Sequence, residues 1–298
     1  MTTRTETIVV GVDGSFNSGA ALDWAVADAQ RRNAGVRIVH VVWVPITVAA
    51  FGDASTFPPP DDLMAYGEEV LTTARERAAS QAPDVHVETS LLVRRPDEAL
   101  LEAAQEASLV VVGTRGLGGL GALALGSVSG KVAASAPCPT VVVPSDVLPS
   151  DGPVVVGVDG SEPSDAALRW AMTEAALRGV DVVALNAYQV SVLPMPIIDA
   201  DTMSKVAAED RRRAVEQASQ AVDRARRAVD VDVAVTVHVE AGHPADVLLD
   251  HGRDAALVVV GSRGLGKFRG LLLGSISQAV LHQATRPVAV VRAPDEPA

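Results

Sequence analysis

The chain has 298 residues, enough for two domains of ordinary size, and its 48% hydrophobic content excludes an extended disordered chain. A formal charge of −12 argues against nucleic acid and anionic membrane surfaces as partners. One cysteine, Cys138, excludes an intrachain disulfide and a cysteine-based metal cluster, and no apolar run is long enough to cross a bilayer or to act as a signal peptide. The expected location is therefore the reducing cytoplasm.

Strand and helix signals alternate from the start. Residues 7–12 form a continuous apolar, β-branched run, as a strand buried on both faces requires. Asn17 or Ser18 is placed to cap a helix reaching about Asn33. A second strand is expected at 36–44, followed by a long loop at 45–60 containing three consecutive prolines. Asp61 or Asp62 caps the next helix, which ends near Ala82. A third strand follows at 85–93, a short helix opens at Pro96 and runs through Glu106, and a fourth strand occupies 109–112. After a glycine-rich stretch come a helix at 127–135 and a fifth strand at 140–143.

The pattern then repeats. Ile-Val-Val-Gly-Val-Asp-Gly-Ser at 8–15 returns as Val-Val-Val-Gly-Val-Asp-Gly-Ser at 154–161. Leu-Val-Val-Val-Gly-Thr-Arg-Gly at 109–116 returns at 257–264 with Ser in place of Thr. The chain is therefore read as two domains, 1–144 and 154–294, joined by a linker at 145–153 rich in Pro, Ser and Asp. The fold class is α/β, with two tandem doubly wound domains. Each has a five-stranded parallel sheet with helices on both faces. Ligands of such sheets bind beyond the carboxyl ends of the strands.

Those ends carry the candidate site residues. The first strand leads into Val12, Asp13, Gly14 and Ser15, and its repeat into Val158, Asp159, Gly160 and Ser161. The fourth strand leads into Gly113, Arg115 and Gly116, then after nine residues into Gly126, Ser127, Val128 and Ser129. The repeat has Gly261, Arg263 and Gly264, then Gly274, Ser275, Ile276 and Ser277. Both copies thus hold Gly-x2-Gly-x9-Gly-Ser. Glycine lets the backbone approach a ligand closely. A helix opening at Gly-Ser presents N–H groups and a partial positive charge to phosphate oxygens. Asp13 and Asp159 are equally suited to accept from ribose hydroxyls and to close an Asx-turn. Two rival motifs fail. The Gly-x4-Gly-Lys string ending at Lys267 is followed by Phe268, where a P-loop needs Ser or Thr, and the first copy has Gly119 in place of the lysine. The Gly116, Gly118, Gly121 string follows the wrong strand for a dinucleotide fold.

These motifs resemble the universal stress protein family in its tandem-domain form, over nearly the whole chain. The Gly-x2-Gly-x9-Gly-Ser signature is similar to that of the family's ATP-binding branch. The resemblance implies ATP in each domain, with Asp13 and Asp159 at the nucleoside and the glycine signature at the phosphates. It implies adenine against Val41, whose counterpart is the departing residue Ala187. It also implies a pseudo-dimer formed by the two domains through their fifth strands, an unknown regulatory protein partner, and a role in stress response. A homodimer of chains is a further expectation. No catalytic set and no resident metal site are read. At most Asp13 and Asp159 help hold Mg2+ on the phosphates. The alternatives are weak ATP hydrolysis or nucleotidyl transfer in the same pockets, cyclic AMP as ligand, and a scaffold with relic pockets. ATP is expected to order the glycine stretch and the long second loop, which partners then read.

Overall fold

The computed structural model describes residues 6–43, 60–116, 125–145, 150–189, 200–264 and 273–293. Residues 45–59 of the expected long loop, those just after Gln189, the centre of each glycine signature and residues 146–149 of the linker lie outside the described residues. The chain divides into two compact units, Met1–Ser145 and Asp146–Ala298.

In the first unit, β1 (Thr7–Val12), β2 (Gly35–Val42), β3 (Val87–Val93), β4 (Leu109–Gly113) and β5 (Thr140–Val143) are parallel. They lie in the order β3-β2-β1-β4-β5. The helices are α1 (Phe16–Arg32), α2 (Asp61–Gln81), α3 (Pro96–Ala103) and α4 (Ser127–Ser135). α1 packs with α2 and α3 packs with α4, as a doubly wound sheet requires. Ile8, Leu22, Ile38 and Leu109 are fully buried between these layers. β4 and β5 are buried at every position, whereas the edge strand β3 is only half covered. The chain runs from β1 out to β2 and β3, then back across to β4. The strand order thus reverses between β1 and β4, which opens a crevice beyond their carboxyl ends.

The second unit repeats this plan with β6 (Val154–Gly157), β7 (Val182–Tyr188), β8 (Val235–Ala241), β9 (Leu257–Gly261) and β10 (Val288–Val291). Its strand order is β10-β9-β6-β7-β8, and all its pairs are parallel. Its helices are α5 (Glu162–Arg178), α6 (Ala200–Ala228), α7 (Pro244–Gly252) and α8 (Ser275–Gln283). No helix among the described residues is long and apolar enough to cross a membrane.

Several boundaries differ from the sequence expectation. α1 is capped by Ser15, whose hydroxyl accepts from Ser18 N at 3.2 Å, and not by Asn17 or Ser18. Ser15, Asn17 and Ser18 fall within four residues, and the tight turn at Gly14, φ 83°, places the cap at Ser15. α2 follows Pro60, which makes no side-chain cap bond, so Asp61 and Asp62 lie inside its first turn. There their charges suit the positive end of the helix. β3 begins at Val87, and the helix at Pro96 tightens into a 3-10 turn at Ala104–Glu106.

Candidate functional site

Each unit has a pocket at its reversal point, of about 570 Å3 in the first and about 400 Å3 in the second. Both fall within the size range of small-molecule sites. Val12, Asp13, Val41, Gly113, Arg115, Gly116, Gly126, Ser127, Val128 and Ser129 all line the first. Val158, Asp159, Ala187, Gly261, Arg263, Gly264, Gly274, Ser275, Ile276 and Ser277 line the second. Gly14, Ser15, Gly160 and Ser161 do not. The two glycines take φ of 83° and 80° to turn the chain into α1 and α5, and the two serines cap those helices.

The two helix N-termini near each pocket are not equivalent. At α1 the turn is closed on itself. Ser15 N donates to Asp13 Oδ1 at 3.0 Å, Ser18 N donates to Ser15 Oγ, and Ser18 Oγ donates to Ser15 O at 2.9 Å. The same bonds recur at Asp159, Ser161 and Ser164. At α4 and α8 the caps are Gly126 and Gly274, which have no side chain to accept from the first-turn N–H groups. Their hydrogen bonds instead fix the turn. Gly126 N donates to Thr114 O at 2.7 Å, and Ser129 Oγ donates to Gly113 O at 2.6 Å, tying the first turn of α4 to the end of β4. Gly274 with Ser262, and Ser277 with Gly261, do the same in the second unit. Ser129 and Ser277 therefore spend their hydroxyls on the scaffold, while Ser127 and Ser275 stay exposed.

The glycines have steric reasons. A Cβ on Gly113 would lie 2.8 Å from Asn17 O, and one on Gly261 would lie 2.8 Å from the Pro163 carbonyl carbon. Helices α1 and α5 thus start against bare backbone. A Cβ on Gly116 or Gly264 would collide with Oδ2 of Asp13 or Asp159. Of the two readings the sequence left open for each aspartate, the hydrogen bonds show the Asx-turn. Oδ1 closes the Asx-turn, and Oδ2 lies over the glycine backbone at the pocket mouth.

Other residues complete the pockets. Pro96 and Leu100 of α3 wall the first, as Pro244 and Leu248 of α7 wall the second. Trp43, just past β2, lines only the first, where the repeat has Gln189. Beneath the floor, His40 Nδ1 donates to Val12 O at 2.8 Å, and Asn186 Nδ2 donates to Val158 O at 2.7 Å. These buried side chains hold the bend after β1 and after β6, which explains why a histidine and an asparagine exchange between the copies. Cys138 lies outside both pockets. Burial pushes its thiol up to about 11, consistent with a packing residue.

A family model described as the universal stress protein family matches residues 4–144 and again residues 152–292. The chain belongs to the universal stress protein family. It is 36% identical over 300 residues to a universal stress protein of Mycobacterium tuberculosis, with 96% of each chain covered. A universal stress protein of Mycolicibacterium smegmatis is also 36% identical, over 295 residues, with 96% of each covered. Among solved structures, a universal stress protein from Archaeoglobus fulgidus matches with a TM-score of 0.65, 20% identity and 97% of each chain covered. A functionally unknown protein from Pseudomonas aeruginosa matches with a TM-score of 0.68 and 15% identity, covering 98% of this chain and 94% of its own. At these identities the two structures bear on the fold alone. The chain is thus a stress-response protein with two universal-stress-protein domains in tandem.

Proposed function

We propose that each domain binds one ATP at the carboxyl ends of its strands, and that the protein acts in the stress response through its nucleotide-bound state. The observation that carries this is the uncapped helix start, present in both copies. Gly126 and Gly274 leave α4 and α8 open toward the same pocket in which Asp13 and Asp159 present a carboxylate over bare glycine backbone. A triphosphate suits the helix start, where dipole and N–H groups favour anions. It does not suit the closed, acidic turn at Asp13. Ribose hydroxyls suit that carboxylate as donors, and an apolar base suits the wall at Val41 or Ala187. Arg115 and Arg263, also in the lining, add positive charge near the phosphates, with Mg2+ as the companion ion. The proposal extends to a pseudo-dimer of the two domains within one chain, a cytoplasmic location and a protein partner that reads the bound state.

Ser127→Asp with Ser275→Asp tests the phosphate assignment. An acid in the first turn strengthens the helix by about 0.3–1 kcal/mol but repels phosphate. The expected result by calorimetry is at least a tenfold loss of ATP affinity with an unchanged or slightly raised Tm. Full affinity in this double variant would remove the phosphates from α4 and α8.

A further inference from the structure

Outside both pockets, the second unit gathers three metal-binding side chains that the ATP reading does not use. His238 and Glu240 alternate along β8, so both project from one face of that edge strand. His251 lies in the last turn of α7 and reaches the same point. Glu240 Oε2 lies 3.2 Å from His238 Nε2 and 2.8 Å from His251 Nε2. The two imidazole rings lie tilted by 52° at a centroid distance of 4.4 Å. One donor atom from each residue falls within 4.8 Å of the other two, and this is the one such group of three among the described residues.

From this geometry we propose that His238, Glu240 and His251 form a binding site for a divalent late first-row transition ion of the zinc class. An ion bound at about 2.0–2.1 Å from nitrogen and oxygen ligands holds neighbouring donors about 2.9–3.4 Å apart, in octahedral or tetrahedral geometry. The two separations to Glu240 lie at or near that range and the two histidine nitrogens lie within 4.8 Å of each other, so side-chain rotation brings all three onto one ion in place of the hydrogen-bonding protons. Two imidazoles and one carboxylate select zinc, nickel or copper over magnesium and calcium, which prefer oxygen alone. The side chains are between 32% and 46% exposed, so water completes the coordination and the ion exchanges freely with solvent. The bound ion ties α7 to the sheet edge, and α7 also supplies Pro244 and Leu248 to the second pocket.

The first copy lacks the site. With Pro96 aligned to Pro244, the counterparts of His238, Glu240 and His251 are Ser90, Leu92 and Ala103. Its nearest approach is the pair His86 and Glu88, 3.4 Å apart, whose carboxylate is shared with Arg37.

The test uses the full chain, stripped with chelator and free of nucleotide, titrated with Zn2+ by calorimetry and counted by elemental analysis. The expected result is one zinc per chain bound with at least micromolar affinity. His251→Gln should weaken it at least tenfold. The triple variant His238→Ser, Glu240→Leu, His251→Ala installs the residues of the first copy and should abolish it. Co2+ in the wild-type site should give visible d–d bands without the sulfur charge-transfer band of a thiolate ligand. Lack of saturable zinc binding below millimolar concentration overturns the proposal, as does equal binding by His251→Gln, a variant at the exposed end of α7 that leaves the core intact.

Discussion

Trp43 follows β2 and is 51% exposed where it lines the first pocket, while Trp24 and Trp170 sit on helices α1 and α5. A purine stacked on an indole changes its emission, so ATP binding to the first domain should alter tryptophan fluorescence through Trp43 alone. Trp43→Phe should silence the response while calorimetry still detects the second domain. A full response in that variant would place the base elsewhere. The sequence showed residues of one kind clearly, those whose role depends on local backbone. Gly126 and Gly274 are legible because a glycine–serine helix start recurs at the same spacing from a Val-Val-Val-Gly strand. Trp43, Pro96 and Leu100 are not, because their place in the wall depends on how β2 and α3 meet across the sheet. Ser15 was missed as the cap for a different reason: it shares one turn with Ser18, each bonds the other's residue, and propensity does not order them.

At the scale of elements, α3 and α4 of the first domain are joined by charge. Asp97, in the first turn of α3, accepts from Lys131 of α4 at 2.5 Å and from Nε and Nη2 of Arg95. Burial alone would raise its carboxyl, but the hydrogen bonds and charges of Arg95 and Lys131 hold it down to about 2, from an ordinary 3.8. A depressed folded value means that the contribution to stability is present above about pH 4 and is lost as pH falls through about 2. The repeat has Ala245 and Ala279 at the two α3–α4 positions and so lacks this bond. Asp97→Asn should therefore lower the urea midpoint of the first domain near neutral pH and flatten its decline between about pH 4 and pH 2. An unchanged acid limb would show that Asp97 does not carry it. The alternation of strands and helices was legible because buried parallel strands read as unbroken apolar runs. Helix starts were less so, as at Pro60, where the acids of the first turn resemble a cap. The grouping of His238, Glu240 and His251 was hidden altogether. The His-x-Glu alternation on β8 is visible in sequence, but the third ligand arrives eleven residues later from a helix whose placement only the fold supplies.

Across the whole molecule, one domain plan appears twice with small, consequential differences. The bonds that shape each glycine–serine helix start are the same in both copies, down to the serine that ties helix to strand. The walls diverge, Val41 and Trp43 against Ala187 and Gln189, and among the described residues only the second copy has the His–Glu–His cluster. On the proposed function, the same helix-start geometry with different walls predicts two sites for one nucleotide with unequal affinities. The acidic charge of −12 does not oppose this, because in the proposed site the anion would be met by backbone N–H groups at a helix start and not by the net field. The most direct test is native mass spectrometry of the gently purified chain, with and without added ATP, followed by identification of what is released on unfolding. The account predicts two ATP per chain at saturating ATP, with Ser127→Asp needing at least tenfold more ATP to fill the first site and the added Ser275→Asp at least tenfold more to fill the second. A wild-type chain that carries no adenine nucleotide and takes up none at millimolar ATP would contradict it.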